Sequence, residues 1–418
     1  MEQRSRVFRA GAAWTGRRLI ERARLVERAG RIVSLGNERD AAAPSGAEVI
    51  DFGGAIILPG FINAHCHLEC SCLKGRLRPG TEFSAWLAEL AGCRFAMGED
   101  VFAREAVTGL AEAVEAGTTA MLDIFTRGEA ERPLRASGLR AWAFLEAIRL
   151  DPSQAEAAYA DLFNRLTRLA QGERFRAGLS PHAPYTVSIP LARKIGRLAE
   201  ARRLPLAIHL AETEDERQML ATGGGPLADL FRSTGFLPNG WEAPGLSPVS
   251  WAERAGLLGP RTLVIHGNYI DDDEIGLLSK RGVSLAFCPR SHAFFGRGPH
   301  PLPKLLAAGV NVCIGTDSLA SNDRLDLLAE LTSAKGMFPQ IPAQRLFEMI
   351  GANVARFLGL GRLLGALAEG FECDLTVVRP APPLGRGAES ALGALLEEGA
   401  ARVKATVVGG DVLWREDE

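Results

Sequence analysis

Through the middle of the chain, apolar runs of strand length alternate with longer stretches whose apolar positions recur at helical spacing, the pattern of successive βα units on a parallel sheet. Eight such runs occur. The first passes from the apolar residues 55–58 into Pro59-Gly60-Phe61-Ile62-Asn63-Ala64-His65-Cys66-His67; the others are 118–123, 139–145, 175–180, 204–209, 262–266, 283–288 and 310–315. Between them, residues 101–116, 154–170, 190–202, 272–280 and 325–335 carry the helical period. Eight parallel strands with intervening helices close most naturally as a (β/α)8 TIM barrel, whose active site lies at the C-terminal ends of the strands. Residues 221–260 exceed what a barrel link needs, and their Gly and Pro clusters predict a loop with one or two short helices.

The two ends of the chain read differently. Residues 7–10, 31–35, 48–51, 374–378 and 405–410 are short β-like pieces broken by Gly, Pro and Asn turns, with no helical period. The expected architecture is therefore α/β: a barrel over residues 58–366 and a small discontinuous β-sandwich domain built from both termini, 1–57 plus 367–418.

Composition narrows the function classes. The 418 residues suit a barrel of about 250 residues plus a smaller unit. Hydrophobic residues at 47% and charged ones at 23% describe a globular chain with a large core. A formal net charge of −2 supplies no field to draw nucleic acid or an acidic membrane, so a small-molecule substrate is the expected partner. The seven cysteines include no Cys-x-x-Cys pair, which argues against a disulfide framework or zinc ribbon and for a reducing compartment. The N-terminus lacks the apolar core of a signal peptide and no window approaches the roughly 18 apolar residues of a membrane span; a cytoplasmic protein is expected. A homodimer or higher homo-oligomer is the expectation for a soluble enzyme.

Chemistry concentrates at the strand ends. His65 and His67 end the first strand, His182 follows the fourth, His209 ends the fifth, His266 ends the sixth and Asp317 follows the eighth. Five of seven histidines at such positions is a strong coincidence. Three neutral imidazoles (His65, His67, His209) and the Asp317 carboxylate suit one divalent transition metal with a position left open for water. Binding lowers the pKa of that water from 15.7 to about 7. Glu212 is the candidate to move the proton, provided that the chain turns after His209.

The first-strand motif, with His182-Ala183-Pro184-Tyr185, His209-Leu210-Ala211-Glu212, Leu263-Val264-Ile265-His266-Gly267, Cys288-Pro289-Arg290-Ser291 and Gly315-Thr316-Asp317-Ser318, resembles the amidohydrolase superfamily, and within it the chlorohydrolase and nucleobase deaminase branch. The resemblance implies one Zn²⁺ or Fe²⁺ held by His65, His67, His209 and Asp317. It also implies Glu212 as proton shuttle, with His266 and Asp317 as the further catalytic residues that orient the hydroxide. Hydroxide would attack the amine-bearing ring carbon, Glu212 would protonate the adjacent ring nitrogen and then the amine, and ammonia would leave; His182 would contact the ring. Residues 67–71 with Gly80, Phe83 and Trp86, and Ser318 to Asn322, further resemble the aminodeoxyfutalosine deaminases of an alternative menaquinone route. On that basis Glu69 or Glu82 are candidates for ribose hydroxyls, Arg149 or Arg290 for a substrate carboxylate, and Trp86, Ser318 and Asn322 for the pocket.

The implied substrate is an adenine nucleoside: aminodeoxyfutalosine first, then S-adenosylhomocysteine, methylthioadenosine or adenosine. A dechlorinating or cyclic-amide hydrolase acting on a triazine-type or guanine-type substrate is the alternative, and a non-catalytic scaffold the third reading. His292 stands where the deaminases lead one to expect Asn; His300, in a Pro-Gly loop, reads as a surface residue; Cys66 should point away from the imidazoles. The Pro-Cys-x-x-Cys pattern of the cytidine deaminase fold is absent.

Overall fold

The computed structural model describes residues 5–39, 44–381, 387–397, 399 and 401–417. Five strands come first: β1 (Arg6–Trp14), β2 (Leu19–Arg28), β3 (Arg31–Asn37), β4 (Glu48–Asp51) and β5 (Ile56–Pro59). Eight follow in the middle: β6 (Phe61–Cys66), β7 (Thr118–Phe125), β8 (Arg140–Ala147), β9 (Phe175–Pro181), β10 (Leu206–Leu210), β11 (Thr262–His266), β12 (Ser284–Phe287) and β13 (Asn311–Ile314). Then come β14 (Leu375–Pro380), β15 (Ala401–Val408) and β16 (Asp411–Arg415).

The middle eight pair in sequence order, all parallel, as the periodicity predicts. The amides of Thr316 and Asp317 both donate to His65 O at 3.1 Å, which closes the cylinder at its C-terminal rim. That approach requires a glycine. A Cβ on Gly315 would stand 2.6 Å from His65 N and 2.8 Å from His65 O, both backbone atoms that cannot swing aside. Gly315→Ala is accordingly expected to cost about 1–3 kcal/mol of stability, read as a lower urea midpoint, and to part His65 from Asp317. A wild-type midpoint would contradict this.

Inside the cylinder, alternate residues such as Ile62, Leu122, Phe144, Ala207 and Ile265 form one apolar cluster, with Val354 and Phe357 of the helix Ala352–Phe357 plugging the base. The intervening residues of the same strands face the outer helices. Those helices start where their caps lie: residues 325–335 form a helix only from Leu327, because the Asp326 side chain accepts from the amides of Leu328 (2.9 Å) and Ala329 (3.2 Å). Between residues 221 and 260 stand two short helices, Pro226–Ser233 and Pro248–Arg254.

The termini build one sheet in the order β16-β15-β14-β5-β1-β2-β3, with β4 beside the first half of β1. Its two halves share a core of Phe8, Leu25 and Ile32 with Leu375, Val377 and Val407, so the expected sandwich is one continuous sheet curled on itself. Two further features depart from the reading of the sequence. The apolar run 55–58 does not open the barrel: it is β5, paired with β14 in the terminal sheet. The chain passes to β6 at Gly60, where a Cβ would meet Thr119 Oγ1 at 2.3 Å. Strand β2 was hidden by its charges; Arg24 and Glu27 are nevertheless buried, Glu27 accepting the Gly30 amide at 2.7 Å.

Candidate active site

Strand parity carries some of the polar residues into the barrel mouth, and broken backbone regularity carries others. Ala207 lies inside the barrel, so His209, two residues on, points to the mouth. Parity would turn His266 outward with Val264, but its left-handed backbone, φ 71°, redirects it; Asp317, φ 58°, is bent in the same way. On β6 the pairing slips between Asn63 and Cys66, a bulge that re-aims His65. Non-glycine residues in that region cost of order 1–3 kcal/mol each and cluster at functional sites.

The four proposed ligands converge. His67 Nε2 and His209 Nε2 are 3.3 Å apart, and Asp317 Oδ1 lies 3.5 Å from His65 Nε2 and 3.8 Å from His67 Nε2. His65 is buried with neither ring nitrogen hydrogen-bonded. Burial pushes His67, His209 and His266 well below the ordinary imidazole value, so each offers a lone pair and carries no charge. Burial opposes ionisation of Asp317, yet the close approach of His65 and the other imidazoles around it holds its carboxyl well below the usual range. Its Oδ2 also accepts from Ser291 Oγ (2.7 Å) and Ser321 Oγ (3.0 Å), and Oδ1 from the Ser318 amide (2.8 Å). His209 Nδ1 lies 3.2 Å from the His182 carbonyl, which orients the ring and leaves Nε2 for the centre. Unpartnered imidazole nitrogens around a carboxylate fit a divalent transition metal.

The turn demanded after His209 is present: β10 ends at Leu210, Ala211 adopts φ 52°, and Glu212 comes round to the mouth. Glu212 is 5% exposed; burial raises its carboxyl and Arg297 opposes the rise. Arg297 Nη2 donates to Glu212 Oε1 at 3.1 Å, and His266 Nε2 is 3.7 Å from the same oxygen. Glu216 Oε2 accepts the Glu212 amide at 2.7 Å, and Asn268 Nδ2 donates to its carbonyl at 3.0 Å. Sequence reading missed Arg297, Glu216 and Asn268, because none belongs to a strand-end motif. His182 is satisfied within its own turn, Nδ1 to Thr186 Oγ1 at 2.6 Å, while its ring centre lies 4.9 Å from that of His209.

The remaining candidates fall into different places. Glu69 accepts from the amides of Thr126 (3.2 Å), Arg127 (3.1 Å) and Gly128 (2.6 Å), so its carboxylate clamps the loop after β7. Burial and the neighbouring Glu129 push that carboxyl up to about 7. Glu82 is exposed just before the helix Phe83–Ala96; Trp86 is buried, stacked on Phe83, with Nε1 donating to Ala320 O at 3.3 Å. Arg149 is exposed. Arg290 pairs with Asp323 and donates to Asn322 Oδ1 at 3.0 Å, so its fork is already engaged. Asn322 donates to Thr316 O (2.8 Å) and Glu330 Oε1 (2.6 Å), holding the loop that carries Asp317 and Ser318. Cys66 is buried and close to Asp123, away from the imidazoles' centre.

His300 is no surface residue: it is 2% exposed, stacked on Phe287 at 4.0 Å, with Nε2 bonded to His266 O at 3.0 Å. His292 Nε2 donates to Gly298 O at 2.8 Å, with Nδ1 3.0 Å from Asn268 Oδ1. Burial lowers their pKa values to about 4 (His292) and about 3 (His300). An unfolded histidine titrates near 6.5, so the stability these neutral rings contribute is present above about pH 6.5 and lost as pH falls, by up to about 1.4 kcal/mol per pH unit per ring. Urea midpoints measured from pH 7 to pH 5 should decline; a flat profile would contradict the burial of neutral rings.

The model of the amidohydrolase family matches residues 56–413. The chain belongs to the amidohydrolase family. This amidohydrolase is a hydrolase acting on carbon–nitrogen bonds. It is 32% identical to the 5-methylthioadenosine/S-adenosylhomocysteine deaminase of Nitratidesulfovibrio vulgaris, an alignment covering 96% of this chain and 89% of that protein. It is 29% identical to the 5'-deoxyadenosine deaminase of Methanothermobacter thermautotrophicus over 84% of this chain and 80% of that one. Its fold matches the Helicobacter pylori aminofutalosine deaminase with a TM-score of 0.83 at 22% identity, covering 97% of this chain and 99% of that one. No helix among the described residues is long and apolar enough to cross a membrane.

Proposed function

We propose that this chain hydrolytically deaminates the adenine ring of a nucleoside altered at its 5′ position, using one Zn²⁺ or Fe²⁺ held by His65, His67, His209 and Asp317. The observation that carries the reading is Glu212 standing beside His266, 3.7 Å apart, at the edge of the three-imidazole and carboxylate cluster. Support for the substrate class comes from the similarity to methylthioadenosine/S-adenosylhomocysteine and 5′-deoxyadenosine deaminases.

A metal bound there acidifies a water so that hydroxide is available near neutral pH. The chain's own residues do the rest. Glu212 takes a proton from the attacking water and delivers it to the ring nitrogen beside the amine-bearing carbon. The water's oxygen bonds to that carbon keeping its second hydrogen, which then passes through Glu212 to the exocyclic amine; the carbon–nitrogen bond breaks, and ammonia leaves a lactam. Arg297 fixes the Glu212 carboxylate, and His266 sits where it can orient the attacking oxygen. His182, anchored by Thr186, faces the ring.

The test is ammonia release, with the absorbance change from adenine to hypoxanthine, across adenosine, 5′-deoxyadenosine, methylthioadenosine, S-adenosylhomocysteine and aminodeoxyfutalosine. Turnover of one or more of these is the expected result. Turnover only of triazine-type or guanine-type substrates would overturn it.

A further inference from the structure

Glu146, the penultimate residue of β8, plays no part in the chemistry above. Trp142 and Phe144 belong to the cluster inside the barrel, whereas Ala143, Leu145 and Ala147 face the outer helices. By parity the Glu146 side chain points into the mouth. It is 4% exposed. Its Oε2 accepts from Thr126 Oγ1 at 2.7 Å, and its Oε1 is buried with no hydrogen-bond partner. A carboxylate oxygen of Glu146 and ring nitrogens of His182 and His209 all lie within 4.8 Å of one another.

A buried carboxylate oxygen without a donor is costly, and natural structures rarely leave one so unless a ligand completes it. An ionised carboxylate accepts hydrogen bonds and donates none. The adenine ring presents acceptors at N3 and N7, and its amine hydrogens lie at the reacting carbon. The donor that meets Glu146 must then come from elsewhere on the substrate. The carboxylate is also held for the purpose: Thr126 fixes Oε2, and Glu69 in turn binds the amides of Thr126, Arg127 and Gly128.

We propose that Glu146 is a specificity-determining residue that accepts a hydrogen bond from a donor on the nucleoside's sugar or 5′ substituent, a hydroxyl or an ammonium, with Thr126 as its positioning residue. This rests on the nucleoside reading above. It also reassigns the role expected of Glu69, which acts on the substrate through the loop it clamps.

The experiment compares wild type, Glu146→Gln, Glu146→Ala and Thr126→Val on adenosine, 2′-deoxyadenosine, 3′-deoxyadenosine, methylthioadenosine and S-adenosylhomocysteine, with metal per chain measured by elemental analysis. For the substrate bearing the donor, Glu146→Ala should lower kcat/KM by about 10- to 100-fold, chiefly through KM, with Glu146→Gln intermediate. The loss should vanish on the analogue lacking that donor, and wild type should discriminate against the same analogue by a similar factor. A sugar hydroxyl is identified if the loss disappears with one deoxyadenosine; an ammonium is identified if it appears with S-adenosylhomocysteine and not with methylthioadenosine. Thr126→Val should show the same substrate dependence at smaller size. Equal losses on every substrate, or loss of bound metal in the Glu146→Gln protein, would overturn the assignment while wild-type turnover upheld the deaminase reading. Wild-type protein inert toward all five nucleosides, and toward 5′-deoxyadenosine and aminodeoxyfutalosine as well, would overturn both.

Discussion

Glu212→Gln is expected to lower kcat by about 10²- to 10⁴-fold while the metal bound per chain stays at the wild-type level. The amide keeps the size of the carboxylate and can still accept from Arg297, which lies 3.1 Å from Oε1, so the local structure has no reason to change. What it loses is the ability to carry a proton from water to the ring nitrogen and on to the amine. Glu212 is not one of the four ligands proposed for the metal, so elemental analysis separates this loss from a failure to bind metal. Near wild-type turnover in the variant would remove Glu212 from proton transfer. The mouth of the barrel would then have to supply another acid, and the buried Glu216, which accepts the Glu212 amide, is a carboxylate to test.

Removing the metal should have a comparable or larger effect. Chelation, or Asp317→Ala, is expected to depress turnover by at least about 10³-fold, because the water then reverts toward its ordinary pKa of 15.7. In Asp317→Ala the consequences extend further: Ser291 and Ser321 lose a common acceptor, and His65 and His67 lose the carboxylate that lies 3.5 Å and 3.8 Å from their Nε2 atoms. Readdition of Zn²⁺ or Fe²⁺ singly to the chelated wild-type protein should restore activity and identify the ion. Full turnover by protein shown to be metal-free would dispose of the hydrolytic mechanism as written.

How far the sequence reached differs between the fold and the site. All eight barrel strands were legible because a buried parallel strand must be apolar on both faces, and that requirement leaves a continuous run in the chain. The terminal sheet was only half visible. Strand β2 carries Glu and Arg at five of its ten positions, and what shields them is packing against distant segments, a cost invisible in local pattern. The run 55–58 reads as leading into the first barrel strand, although the expected domain boundary falls between residues 57 and 58, for a related reason: an apolar run states that it is buried, not which neighbours bury it, and Gly60 decides that by admitting Thr119.

The composition and order of the polypeptide determined that a parallel barrel would form and that five histidines and an aspartate would stand at its strand ends, since side-chain parity and chain order are local properties. Tertiary structure decided which polar groups are free to act. Glu69, Arg290 and Asn322 looked like substrate contacts, yet backbone amides and neighbouring side chains from remote segments already engage them. Arg297 and Glu146 carried no motif, yet the fold sets one against Glu212 and leaves an oxygen of the other unpaired near the imidazoles. The physical reason is that a hydrogen bond is made or withheld across space, between residues whose distance along the chain says nothing about whether they meet.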